Sequence, residues 1–512
     1  MSTPMKKWSP IVIVLAILGI LHLSPPGICA APPQGVLKEA IHWALSADWF
    51  DPSLGPPGTL GYLPLQFFHD ALVKPMPEGI YTPCLAESYS VSQDSKIYEF
   101  KLRQGVKFHN GDTMTAEDVV FSYWRYKGRQ AKFTHENTEK VEIVNPYLVR
   151  IHFKKPYPDF MEYFLPGAAS IGWVIPKKYV EKVGDTGFKQ HPVGAGPYKF
   201  VEFVPGVKLV GEAFEEYWRK VPHIKRIEFY HVPDAATRLA MVKRGEVDIA
   251  TLMTDVFYED VKKDPGLRLL TPLSPVRFIV YPAAQWDPKS PWSDVRVRQA
   301  ASLAIDRKLL ADIHVPGGKA VGSIGLEGDP LAVQFPPDPY DPERAKKLLA
   351  EAGYPKGLHG GKFYPQNTYW GSAEQIATYW KAVGITVDLV LLERAAWFAH
   401  RDGGKMRGDL IHDPASAPTI GGRLAYLFGP SSYGNYPDIQ ALWEQYQKEA
   451  RANVRKDLIT RIQRLIHEKT MWISLTENNS PAAFRPRVKG NPYRIQPLVW
   501  FTAPFEDIEL EK

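Results

Sequence analysis

The run Lys101-Leu102-Arg103-Gln104-Gly105-Val106-Lys107-Phe108-His109-Asn110-Gly111-Asp112, continuing to Thr115-Ala116-Glu117-Asp118-Val119, sets the frame for the chain. Gly105 and Gly111 fit tight turns between strands, where a positive φ costs glycine little. Thr115 with Asp118 matches a capping box, which opens a helical segment over Val119 to Tyr126. Strands and turns that pass straight into a capped helix point to a mixed α/β architecture.

The same alternation continues along the sequence without repeats or low-complexity linkers. Asp341-Pro342-Glu343 puts a capping Asp before Pro at the first helical position, and Gly353 closes that helix. Ser372 with Gln375 is expected to open another helix, ended by Gly384, and Ile385 to Leu391 then alternates as a strand. Leu442 to Ala450 and Leu458 to His467 read as amphipathic helices. Arg298 and Asp306, eight apart, are expected on one helix face as structural charges. Gly194 and Gly196 suit a turn entering a strand, and no third glycine completes a dinucleotide fingerprint. Thr271 to Pro291 and Thr476 to Pro486 look irregular. If both are hinge strands, the chain leaves a first lobe, builds a second and returns.

The N-terminus reads as a targeting segment. Lys6 and Lys7 precede the apolar run Ile11 to Leu21, which Pro25, Pro26 and Gly27 break before Ala30-Ala31. The run is short for a membrane span, so cleavage near Ala30 is expected. Pro26-Gly27-Ile28 before Cys29 is a poor lipid-attachment context. Cleavage there leaves Cys84 as the one mature cysteine, unable to form an internal disulfide and placed as a buried apolar residue. At 512 residues, two or three domains are expected, and 45% hydrophobic with 23% charged residues is ordinary for a globular protein. The net charge of +6 falls to +4 without Lys6 and Lys7, and its basic residues form no stripe, which argues against nucleic-acid binding.

The Lys101 to Val119 segment resembles the signature of the family 5 extracellular solute-binding proteins, the peptide/nickel class of ABC importer receptors. Four further segments are similar to that family in order and spacing: Val193 to Tyr198, Lys243 to Asp248, Asp294 to Arg307, and Asp341 to Gly357. The resemblance implies a type II-like periplasmic binding protein, an α/β fold of two lobes joined by a hinge, with an extra subdomain inserted in lobe I. On this basis residues 1–30 are the signal peptide, 31–275 lobe I with the subdomain at about 65–190, 276–480 lobe II, and 481–512 the return to lobe I. It implies a monomeric periplasmic receptor that captures a peptide or peptide-like solute and delivers it to membrane permease subunits, without catalysis and without cofactor or metal.

In peptide receptors of the family, an Asp in a Gly-Trp-x-x-Asp segment pairs with the ligand's α-amino group. Asp413 is the match here, although the Trp is missing and the alignment shifts by one residue; the competing role is a turn cap before Pro414. His412 beside it is a second candidate. Trp49, Tyr62, Trp370, Trp397 and Tyr433 are the aromatic candidates for a ligand cleft, with core packing as the competing role. Trp370 and Trp397 follow strand-like segments, where α/β sheets present ligand-facing loops. Arg423, after Gly421-Gly422, offers a planar fork for a carboxylate or phosphate, or is a solvated loop charge. An opine, an oligosaccharide or a metal chelate is the alternative solute. Direct metal binding lacks paired histidines at ligand spacing, and no hydrolase motif is present.

Overall fold

The computed structural model describes residues 31–511 apart from 56–60, 129, 167–170, 254–255, 272, 316, 367–368, 416, 429–431 and 491–503. The expected signal segment, with Cys29, lies outside the described residues. Three sheets organise the rest. A seven-stranded sheet runs in the order Tyr198–Val204, Lys208–Ala213, Ile224–His231, Gln34–Ile41, Ile249–Ala250, Ala482–Phe484 and Arg268–Leu270. Its Gln34–Ile41 strand is parallel to both neighbours and buried on both faces: Leu37 and Ile41 enter one core while Ala40 enters another.

A six-stranded sheet follows, in the order Lys319–Ala320, Ile473–Asn479, Leu273–Pro282, Leu410–Ala415, Leu358–Tyr364 and Ile385–Leu389. Here the period of two is visible residue by residue. Phe278, Val280, Phe363 and Leu410 fill one core, and their neighbours Ile279, Tyr281, Tyr364 and Ile411 fill the core on the other face. Helix Trp370–Val383 crosses between the parallel strands Leu358–Tyr364 and Ile385–Leu389. The third sheet is antiparallel and four-stranded: Ala86–Val91, Ile97–Leu102, Leu148–Phe153 and Thr138–Asn145. Its core includes Phe100, Phe153, Phe160 and Phe164.

The described chain passes between the two large sheets at residues 270–273 and returns at 479–482. The crossings fall within or at the edge of the stretches that read as irregular, yet about half of Thr271 to Pro291 and most of Thr476 to Pro486 is strand. Leu273–Pro282 is a ten-residue strand paired on both sides. Its proline content misled the reading because prolines weaken a strand only where the ladder needs their N–H. The pairing with Ile473–Asn479 shifts register between Leu273 and Arg277, the stretch that holds Pro275.

Local chemistry explains most helix ends. The Asp118 carboxylate accepts from the Thr115 N–H at 2.9 Å, before helix Ala116–Arg125. Asp341 caps Pro342–Glu351 through the Arg344 N–H, and Gly353 follows at φ 97°. Two expectations need correction. Helix Trp370–Val383 starts two residues ahead of Ser372, whose hydroxyl instead donates to the Tyr369 carbonyl at 2.9 Å. Arg298 and Asp306 lie on different helices, because Asp306 caps a new one, Arg307–His314, through the Leu309 N–H. Arg298 is buried and donates to the Trp292 and Lys469 carbonyls, both at 2.7 Å, which ties three chain segments together. At Gly194 and Gly196 the reason for glycine is proximity. A Cβ on either would lie 2.1–2.6 Å from the backbone of Phe68 or His69. Cys84 is buried and free, and burial with Asp70 nearby pushes its thiol well up, away from reactivity.

Candidate functional site

Because side chains alternate along a strand, His412 and Asp413 face opposite sides of the six-stranded sheet. Asp413 enters the side of Ile411 and Tyr364. There its Oδ2 accepts from the Arg401 Nε at 2.8 Å, and the two side chains are 1% and 2% exposed. Arg401 sits on helix Arg394–Asp402, one turn after Trp397. The Tyr433 hydroxyl donates to the Arg401 carbonyl at 2.8 Å, and the Trp397 Nε1 donates to the Tyr364 carbonyl at 3.1 Å. Two of the sequence candidates, Asp413 and Tyr433, therefore meet at one arginine that the sequence reading did not select, and Trp397 lies one turn before it on the same helix. Trp397 is fully buried in a core. Asp413 is a strand residue and not a turn cap.

Buried charge continues toward the end of this strand. Arg423 lies in helix Ile420–Phe428, not in a loop, is 1% exposed, and donates from Nη1 to the Ala415 carbonyl at 3.0 Å. The solvated-charge expectation fails because residues 420–428 form a helix whose Ile420 and Leu424 enter the core and carry Arg423 inward. Burial pushes its guanidinium down to about 9, with the Arg277 charge adding to the effect. Arg277 pairs with Glu477 at 2.6 Å, both buried. Asp329 accepts from the Ile420 N–H at 2.6 Å, at the N-terminal end of the Arg423 helix.

That helix start also meets the body built on the four-stranded sheet. The Thr419 hydroxyl donates to the Glu162 carboxyl, and Glu162 belongs to the short helical turn Phe160–Phe164. A Cβ on Gly421 would stand 3.0 Å from the Tyr446 hydroxyl and one on Gly422 3.1 Å from the Thr419 hydroxyl, so the glycine pair lets these two partners of the seam pack close to the helix start. Beside it Asp159 pairs with Arg455 and accepts from the Tyr446 hydroxyl at 3.4 Å. The Tyr81 hydroxyl also hydrogen-bonds Glu162. Burial pushes the Glu162 carboxyl up to about 7; Asp159 and Asp329 add to this, while the Thr419 and Tyr81 hydrogen bonds oppose it.

The other candidates do not converge on this seam. His412 stacks on Phe278 at 5.3 Å, with Phe363 and Tyr369 each at 6.2 Å, on the far side of the sheet from Asp413. Burial, with His314 adding, pushes its imidazole down to about 3, so it is neutral at ordinary pH. Trp370 is the partly buried first residue of its helix. Trp49 is partly buried against the core of the seven-stranded sheet. Tyr62 is buried, edge-on to Trp173 at 5.2 Å. Glu162, Thr419, Asp329 and Arg401 escaped the sequence reading. The local signal available was the pair Gly421-Gly422, one residue beyond Thr419, and it points to one side of the contact only. Among the described residues, no cluster of three or more His, Cys, Asp or Glu is arranged to hold a metal ion.

Comparisons with known proteins place this geometry in context. Residues 81–430 match the profile of the bacterial extracellular solute-binding proteins, family 5. Heme-binding protein A of Haemophilus influenzae is 29% identical over 457 residues, covering 80% of this chain and 81% of its own length. The probable di/tripeptide-binding protein 5 of Pseudomonas aeruginosa is 28% identical and covers 82% of this chain and 86% of its own. Among solved structures, the ABC transporter substrate-binding protein CtaP of Listeria monocytogenes superposes with a TM-score of 0.80 over 94% of this chain and 100% of its own, at 22% identity. The α/β, two-lobed architecture expected from the sequence is thus the observed one, and the chain belongs to the family 5 bacterial extracellular solute-binding proteins.

Proposed function

We propose that this chain is the capture receptor of an ABC importer, which closes two lobes over a small peptide or peptide-like solute and hands it to the membrane permease. The observation that carries this reading is the topology. Two large sheets are joined by two crossings, and polar groups from separate bodies meet at Glu162 and Thr419. Such a layout suits hinge closure, in which solute contacts from both lobes are completed only in the closed form. Lobe I covers 31–275 and the return 481–512, with lobe II between them. The N-terminal signal directs export to the periplasm, where the receptor works as a monomer. Among the described residues no helix is long and apolar enough to cross a membrane.

The solute class follows the names of the relatives only in part. One is named for di- and tripeptides and one for haem, so the panel must span both. Asp413 already meets the Arg401 charge. An amine-bearing ligand would therefore have to compete with a buried guanidinium for this carboxylate, which favours recognition of the solute by other groups. Thermal unfolding of the exported chain in the presence of di- to pentapeptides, haem, opines and oligosaccharides tests the proposal. A solute at about 100 times its Kd adds roughly 2.7 kcal/mol to stability. Short peptides are expected to raise the melting temperature. Stabilisation by haem alone would keep the clamp and remove the peptide reading.

A further inference from the structure

We propose that Glu162 is a positioning residue for capture, a latch between the lobes that holds in its neutral form and releases when it ionises. The inference rests on the two-lobe capture reading above and adds to it the group that sets how firmly the closed form holds.

Glu162 is carried by a turn whose Phe160, Tyr163 and Phe164 are locked into the core of the four-stranded sheet. Its partner Thr419 lies 257 residues away, at the start of a helix whose Ile420, Leu424 and Leu427 belong to a core of the six-stranded sheet. Neither side can shift alone without disturbing packing, so the hydrogen bond reports how the two bodies sit together. Thr419 is also fixed. Its hydroxyl oxygen accepts from the Gly422 N–H at 3.1 Å, which leaves its single proton for Glu162. Gly422 also lets its own backbone come close to that hydroxyl, since a Cβ there would stand 3.1 Å from it.

Charge decides which form of the carboxyl the seam prefers. Among the described residues, the titratable groups that face Glu162 are Asp159, Asp329, Tyr81, Tyr163, Tyr446 and Arg455. Two of these are carboxylates, three are phenols, and the cation among them, Arg455, is taken by Asp159. A third negative charge in this partly dry seam is opposed by burial and by like charge. Accordingly the carboxyl is pushed up to about 7 where the two bodies meet around it. Opening the lobes would return it to water and to the ordinary carboxyl range. The sign follows by linkage. The closed form binds a proton more tightly than the open form, so its advantage is complete at acid pH and is lost as pH rises through about 7. Peptide affinity should then fall by about tenfold or more between pH 5.5 and 7.5 and level off above that range.

The test uses the full chain with trialanine as the probe, titrated calorimetrically from pH 5.5 to 7.5, alongside small-angle X-ray scattering of the ligand-free chain over the same range. Wild type should lose affinity about tenfold and become less compact. Glu162→Gln, neutral at every pH and able to accept from Thr419, should hold the tight, compact state throughout. Thr419→Val should be weaker at pH 5.5 with a flatter profile. A flat wild-type profile, or the same slope in Glu162→Gln, overturns the latch. If trialanine binds at no pH, the peptide reading fails by itself. The scattering profiles then decide the latch: compactness lost with rising pH in wild type but not in Glu162→Gln supports it, and matching profiles reject it.

Discussion

Asp413→Asn is expected to destabilise the ligand-free chain by about 3–5 kcal/mol, because it removes the carboxylate that meets the buried Arg401 charge. Both side chains are at most 2% exposed, so water cannot step in to solvate the guanidinium. The cost belongs to the broken pair and not to the net worth of the ion pair. Replacing both partners by apolar residues of similar volume, Asp413→Leu with Arg401→Met, should recover most of the loss. Urea denaturation without ligand measures both variants. Were Asp413 held free to bind a solute amine, Asp413→Asn would leave ligand-free stability unchanged and reduce affinity alone, and that outcome would refute the structural role.

His412→Phe is expected to blunt the protein's acid sensitivity. Burial holds His412, His69 and His109 neutral, with values pushed down to about 3, 4 and 3. Unfolded histidine titrates near 6.5, so as pH falls below that value the unfolded chain takes up protons that the native chain refuses. Each such histidine costs roughly 2 kcal/mol of stability by pH 5. Several buried carboxyls pull the other way. Glu162, Asp159 and Glu506 have raised values, so their contribution grows as pH falls. The wild-type profile is therefore a sum of opposing terms, and a single replacement isolates one of them. Phenylalanine keeps the stack on Phe278 and needs no hydrogen bond. The stability lost between pH 7.5 and pH 5 should shrink by about 2 kcal/mol relative to wild type. An unchanged loss would mean that His412 is protonated in the native state.

What could be read from the sequence is what short-range chemistry decides. Asp341 before Pro342 and Gly353 after the helix each act within a turn, and all three roles are present in the fold. The alternation in Ile385-Thr386-Val387-Asp388-Leu389 likewise needs no distant partner to make a strand. The site was harder because its chemistry lies in pairings that sequence does not bring together. Glu162 meets Thr419 across 257 residues, and Asp159 meets Arg455 across 296. His412 and Asp413, neighbours in sequence, were grouped as one candidate site although the pleat sends them to opposite faces. Arg423 followed two glycines and so read as a loop, but Asp329 satisfies the first N–H of a helix there. The family resemblance supplied the two-lobe plan that such local signals could not.

A capture receptor must close around its solute and release it unchanged. Small-angle X-ray scattering of the exported chain, with and without a saturating ligand from the stability panel, tests this directly when the ligand is recovered afterwards for mass analysis. One ligand per chain, a smaller radius of gyration on binding and a recovered ligand of unaltered mass are expected. Binding without compaction, or recovery of a cleaved or modified ligand, would contradict the capture role.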